Sequence, residues 1–188
     1  MKRNHKAALL LLVGLLSSLA LTACGPPVKG HFEKGNEFVE AMQFAEAAEE
    51  YEKALEIEPD NVNVMTNLGV TYYRLGELDK AVEVYTRAIA IAPEDADIRS
   101  NLAAAHVQQY QPGGATDQLD MALEQYQRAI ELAPDLAEAH YGAGAVYSLL
   151  GRIDEAIEAF ERFQELDTGT DLKATENAQA ILEQLRGQ

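Results

Sequence analysis

A single cysteine, four histidines and 31 carboxylates are the side chains of this sequence best suited to chemistry. Cys24 has no second thiol to pair with, so a disulfide within the chain is excluded. It follows a basic start (Lys2, Arg3, Lys6) and an apolar run from Ala7 to Ala20, the layout of a secretory signal. The chemistry suited to a lone thiol there is modification of the sulfur. His5, His31, His106 and His140 never come in a pair with metal-ligand spacing. The last three fall where the pattern below puts large core side chains, which reads as packing. Pro112-Gly113-Gly114 is a turn, not a phosphate cradle. The acids lie on helix surfaces, with no evident desolvated position to raise a carboxyl pKa for proton transfer. The expectation is no enzyme, no metal and no cofactor.

The elements that position these residues follow one ruler. Ala47-Tyr51-Ala54-Pro59, Ala81-Tyr85-Ala88-Pro93 and Ala122-Tyr126-Ala129-Pro134 share one spacing, and Pro59 and Pro93 are 34 residues apart. Upstream stand Leu68-Gly69 with Tyr72, and Ala143-Gly144 with Tyr147. Small residues at Gly35, Gly69 and Gly144 and at Ala47, Ala81, Ala122 and Ala156 let helices approach, and Tyr51, Tyr85, Tyr126 and Phe160 fill the space between. Each proline falls where a second helix must stop.

This period and residue set resembles the tetratricopeptide repeat, a helix-turn-helix unit that stacks into a solenoid. The resemblance implies an all-α fold: a right-handed α-solenoid of four repeats plus a C-terminal capping helix. The expected organisation is a signal peptide over 1–23, a lipidated Cys24 and short tether over 24–30, repeats over 31–170 (about 28–61, 62–95, 96–136 and 137–170), and a cap over 171–188. The first repeat has Ala41-Met42-Gln43 where the inter-helix turn usually carries glycine. The third has His106 for the first-helix aromatic and about seven extra residues around Tyr110–Thr116. The fourth has Phe163 and Thr168 where alanine and proline are usual.

Leu21-Thr22-Ala23-Cys24 resembles a bacterial lipobox. That resemblance implies a diacylglycerol on the Cys24 thiol and cleavage just before it; the alternatives are an uncleaved apolar anchor and a chance cysteine at the end of an ordinary signal peptide. Two acyl chains hold a protein stably on a membrane where one holds only reversibly. The implied location is the bacterial cell envelope, membrane-anchored and facing outside the cytoplasm.

The formal charge is −16, and removing Lys2, Arg3 and Lys6 makes the processed chain more acidic still. Nucleic acid, which needs a basic face, is excluded. The acid concentrates in the second helices, as at Glu46, Glu49, Glu50, Glu52 and Glu56. In the family these form the outer face. Two readings stand for it, a solvated surface and a site for a basic partner. The first helices line the groove. Its expected partner-binding residues are Asn36, Asn63, Thr66, Asn67, Tyr73, Arg74, Ser100, Asn101, Gln108 and Tyr141. Asn36 and Asn67 match two asparagines of the carboxylate clamp of chaperone-binding repeats. Phe32, Asp97 and Asn101 stand where its cations would be, so the clamp is rejected; the asparagines can instead bond each other across adjacent helices. The expected function is a membrane-anchored protein-interaction scaffold or assembly factor. The alternative is an accessory subunit presenting a small molecule or glycan to an envelope enzyme or transporter, suggested by Tyr73 and Tyr141. Stacked, parallel aromatics would favour that alternative. Cys24→Ser is expected to leave the protein uncut or unlipidated; a processed Cys24→Ser protein that still partitions into detergent contradicts lipidation.

Overall fold

The structure is a computed structural model that describes residues 27–169 and 172–187. The signal peptide and Cys24 lie outside the described residues. Within them the chain is all helical. The first helices of the repeats are α1 (Val28–Glu40), α3 (Val62–Leu75), α5 (Ala96–Gln109) and α7 (Ala137–Leu149). The second helices are α2 (Phe44–Ile57), α4 (Leu78–Ile91), α6 (Asp117–Leu132) and α8 (Ile153–Leu166), and α9 (Leu172–Arg186) closes the array. Each helix packs on the next, and α5 also touches α3 and α7. The first helices therefore form one adjoining row. Because α1 begins at Val28, residues 28–30 are helix rather than tether, which leaves three residues between Cys24 and the array.

Polar signals set the helix ends. Asn61 accepts from the Val64 N–H at 3.2 Å and Asp95 from the Ile98 N–H at 3.0 Å, capping α3 and α5. Leu136 occupies the equivalent place before α7, which starts without a side-chain cap. Gly76 (φ 76°) ends α3 in the left-handed region. The turn of the first repeat, which lacks that glycine, places Met42 at φ 59° with its side chain exposed.

Between the two helices of a repeat, rings fill glycine gaps. A Cβ on Gly35 would sit 2.5 Å from the Tyr51 ring, on Gly69 2.4 Å from Tyr85, and on Gly144 3.1 Å from Phe160. In the third repeat the position holds Ala103, and Tyr126 lies over Gly142 of the following helix, where a Cβ would come within 2.2 Å. Ala47, Ala81, Ala122 and Ala156 are fully buried beside these rings.

Both ends of the array are closed by the chain itself. At the C-terminal end, Ala178, Leu182 and Leu185 of α9 bury against Phe160 and Phe163. Lys173, Glu176 and Glu183 are exposed. At the N-terminal end, His31, Lys34 and Glu50 stand at the register positions of Met65, Leu68 and Val84, which in the second repeat are core. Polar side chains thus replace the apolar surface that would accept a preceding repeat.

Gly69→Leu is expected to destabilise the centre of the array by about 1–3 kcal/mol or more, since the Tyr85 ring already occupies that space. Thermal unfolding checks it; a melting temperature equal to wild type contradicts the register.

Candidate partner-binding groove

Helical spacing puts Asn63, Thr66, Asn67, Val70, Tyr73 and Arg74 on one face of α3, opposite its buried Val64, Met65, Leu68 and Tyr72. The same register in α5 gives Asp97, Ser100, Asn101, Ala104, Val107 and Gln108. Val70, Ala104 and Ala145, all half-buried, run along the middle as an apolar strip. Thr66, Ser100 and Tyr141 flank it on one side.

Several expected contact residues are already engaged. Tyr51 donates from its hydroxyl to Asn36 Oδ1 at 2.6 Å, and Asn67 Nδ2 donates to the same oxygen at 3.2 Å. The asparagine pair thus joins adjacent first helices, the local role the sequence left open. Thr66 Oγ1 donates back to the Val62 carbonyl at 2.9 Å. Tyr141 stands edge-on to Phe160 and Phe163, with centroids at 5.7 and 5.2 Å. Tyr73 packs against the core. Among the described residues no pair of rings is parallel, so the observation that would favour a glycan is missing from the described groove. By contrast, Asn63, Arg74, Ser100, Asn101 and Gln108 make no side-chain hydrogen bond or ion pair within the chain.

The insertion Tyr110–Thr116 connects α5 to α6 and turns through Gly113 (φ 83°), with Gly114 N–H donating to the Gln111 carbonyl at 2.9 Å. It borders an open depression of about 870 Å³, lined by Gly76–Lys80 of the preceding turn and by Gln108, Gln109, Gln111 and Gln118. Gln109 Nε2 donates to Asp79 Oδ1 at 2.7 Å. Tyr73 and Arg74, on the groove face of α3, do not line this depression. His106 explains how the insertion is held. It is buried, and its Nδ1 lies 2.9 Å from Gln118 Oε1 and 3.2 Å from Gln109 Oε1. Tyr72 and Tyr147, its equivalents in the second and fourth repeats, reach the preceding second helix instead: Tyr72 donates to Glu52, and Gln127 Nε2 donates to the Tyr147 hydroxyl at 3.1 Å. Burial, then the Glu52 contact, raises the Tyr72 phenol pKa. His140 Nε2 lies 3.0 Å from the Pro134 carbonyl, bracing an inter-repeat turn as Arg99 braces Pro93.

Among the described residues, the one strongly perturbed carboxylate belongs to the N-terminal end. Glu50 is 4% exposed. It is contacted by His31 Nδ1 at 2.7 Å, Lys34 Nζ at 2.9 Å and Lys53 Nζ at 3.0 Å. Burial raises its pKa, but the contacts from His31, Lys34 and Lys53 outweigh that and hold it at about 2. Both of its oxygens face donors of its own repeat, Oε2 toward His31 and Oε1 toward Lys34 and Lys53, which makes this a structural cluster. No group of three or more acidic, histidine or cysteine side chains among the described residues could hold a metal ion. No described helix is long and apolar enough to cross a membrane.

Glu50→Gln is expected to cost about 1–3 kcal/mol at neutral pH. The folded pKa lies below the ordinary 4.5, so the carboxylate's contribution is complete above about pH 5 and vanishes as pH falls toward about 2. Urea unfolding across that range should show the stability gap between wild type and variant closing. A gap independent of pH contradicts the cluster's role.

Comparison with known proteins gives concordant results. Models described as tetratricopeptide repeat, TPR repeat and tetratricopeptide repeat match residues 32–96, 115–151 and 137–169 respectively. A crystal structure of MamA protein is similar over 85% of this chain and 86% of its own, at 25% identity and a TM-score of 0.68. A MamA structure from Desulfovibrio magneticus is 21% identical over 77% of both chains, with a TM-score of 0.67, a likeness of fold. The first TPR of Spaghetti (RPAP3), bound to the HSP90 peptide SRMEEVD, is 25% identical over 66% of this chain and 93% of its own, with a TM-score of 0.60. No curated protein matches the sequence.

Proposed function

For a chain built of tetratricopeptide repeats, we propose the work of a protein-interaction scaffold that holds a peptide segment of its partner in the groove of the first helices. The observation that carries this reading is the set of exposed or half-buried polar side chains there, Asn63, Arg74, Ser100, Asn101 and Gln108, with no partner inside the chain. Amides and hydroxyls of this kind pair readily with a peptide backbone. The similar repeat array that binds SRMEEVD supports a peptide as the occupant. An acidic peptide of that kind suits this groove poorly, because Phe32, Asp97 and Asn101 stand where a carboxylate clamp needs cations. The chain would serve in binding and assembly, not in catalysis.

The scaffold would sit on a membrane of the bacterial cell envelope, outside the cytoplasm, through lipid on Cys24. The sequence supports this: a basic start, an apolar run and Leu21-Thr22-Ala23-Cys24 come in order. Three residues reach only about 10 Å, so the first repeat would lie against the bilayer surface.

Crosslinking in the native envelope, read by mass spectrometry, tests the groove. The cleanest variant combines Asn63→Ala, Arg74→Ala and Asn101→Ala, because Tyr73→Ala would also remove core packing. It should lose most partner capture while keeping its helical signal and melting temperature. Undiminished capture, lost instead on charge reversal at Glu49, Glu52 and Glu56, would place the partner on the outer face.

A further inference from the structure

Charge in the groove is distributed unlike charge elsewhere. Every other arginine and lysine of α1–α8 and their turns is held by a carboxylate or carbonyl of the chain itself, as Lys80 is by Glu77, Arg99 by the Pro93 carbonyl and Arg152 by Glu155. Arg74 is the exception. Among the described residues only it and Lys173 are cations without such a partner, and Lys173 lies on the capping helix. In a chain of net charge −16, where acids outnumber bases about two to one, an unpaired guanidinium is a departure from the pattern. Glu40, its register equivalent in α1, makes no ion pair with it.

Register puts Arg74 on the groove face of α3, one helical turn beyond Val70. Its neighbours in the same face are Tyr73 and, in α5, the unbonded Gln108. The apolar strip of Val70, Ala104 and Ala145 continues across the later repeats, past Arg74. A segment running along that strip would present a side chain to Arg74. Asp97 and Glu138, on the opposite edge of the groove, repel any second acid.

We propose that Arg74 is a specificity-determining residue of the groove, receiving one aspartate or glutamate side chain of an otherwise uncharged peptide segment that runs along the Val70–Ala104–Ala145 strip. This rests on the groove reading above. Guanidinium and carboxylate match in geometry as well as charge, so the pair fixes register where amides alone would let a segment slide.

Arrays of terminally blocked dodecapeptides of random Ala, Leu, Val, Ser and Asn test this with the full-length protein in detergent. Four matched sets carry no acid, one internal Glu, three Glu, or only a free C-terminal carboxylate. The single-Glu set should bind tightest, by up to about five-fold over the acid-free set, the size of an exposed ion pair. Arg74→Gln should erase that preference without changing the melting temperature, Arg74→Lys should keep part of it, and Glu40→Gln should enlarge it. Equal binding of the acid-free and single-Glu sets, unaffected by Arg74→Gln, would overturn the proposal and leave Arg74 to the favourable charge at the end of α3. Tightest binding by the three-Glu or free-terminus set, or no binding by any set, would overturn it too. Ala104→Trp separates the two levels. A folded Ala104→Trp protein that still binds shows that the groove reading itself has failed, whatever Arg74 does.

Discussion

The contact on which the molecule depends is an aromatic ring resting where a Cβ would otherwise be. Tyr51 on Gly35, Tyr85 on Gly69 and Phe160 on Gly144 set how closely the helices of each repeat approach. Tyr126 on Gly142 does the same between two repeats. These rings are also the largest buried apolar groups, so spacing and burial come from the same atoms. Interiors packed at crystal-like density transmit such spacing without slack. The row of first helices, and with it the groove, inherits its geometry from a contact on the far side of those helices.

The same economy explains the ends and the outside. A solenoid leaves an apolar face at each terminus, and this chain covers one with α9 and converts the other into a polar cluster around Glu50. The second helices carry Glu46, Glu49, Glu52 and Glu56, then Asp154, Glu155, Glu158 and Glu161, outside the groove. Polar groups without internal partners on a nearly neutral concave face, and acid on the outer one, give the two surfaces different capacities for recognition.

Much of this was legible in the sequence because the constraints are periodic. A glycine and an aromatic at fixed offsets, and a proline closing the first three units, repeat often enough to fix helix boundaries, the position of the insertion and the final helix. What escaped was aperiodic or depended on a side chain's choice of partner. Gly142 lies outside the glycine register, and its role appears only once Tyr126 is seen over it. Tyr141 reads as a groove aromatic, but Phe163, the fourth repeat's unusual residue, draws it edge-on into the core. The asparagines at 36 and 67 offered two roles, and the Tyr51 hydroxyl between the helices decides for the local one. Glu50 looked like one more surface acid; comparison with Val84, its equivalent one repeat later, was the available signal that it lies at a core position.

The central claim is that the concave row of first helices, not the acidic exterior, meets the partner. Photocrosslinking from single positions tests it most directly, with a benzoylphenylalanine placed either at Asn101 in the groove or at exposed Glu83 on the outer α4. In intact cells, the account predicts a discrete crosslinked product from position 101 and none from position 83; a product from 83 alone would contradict it.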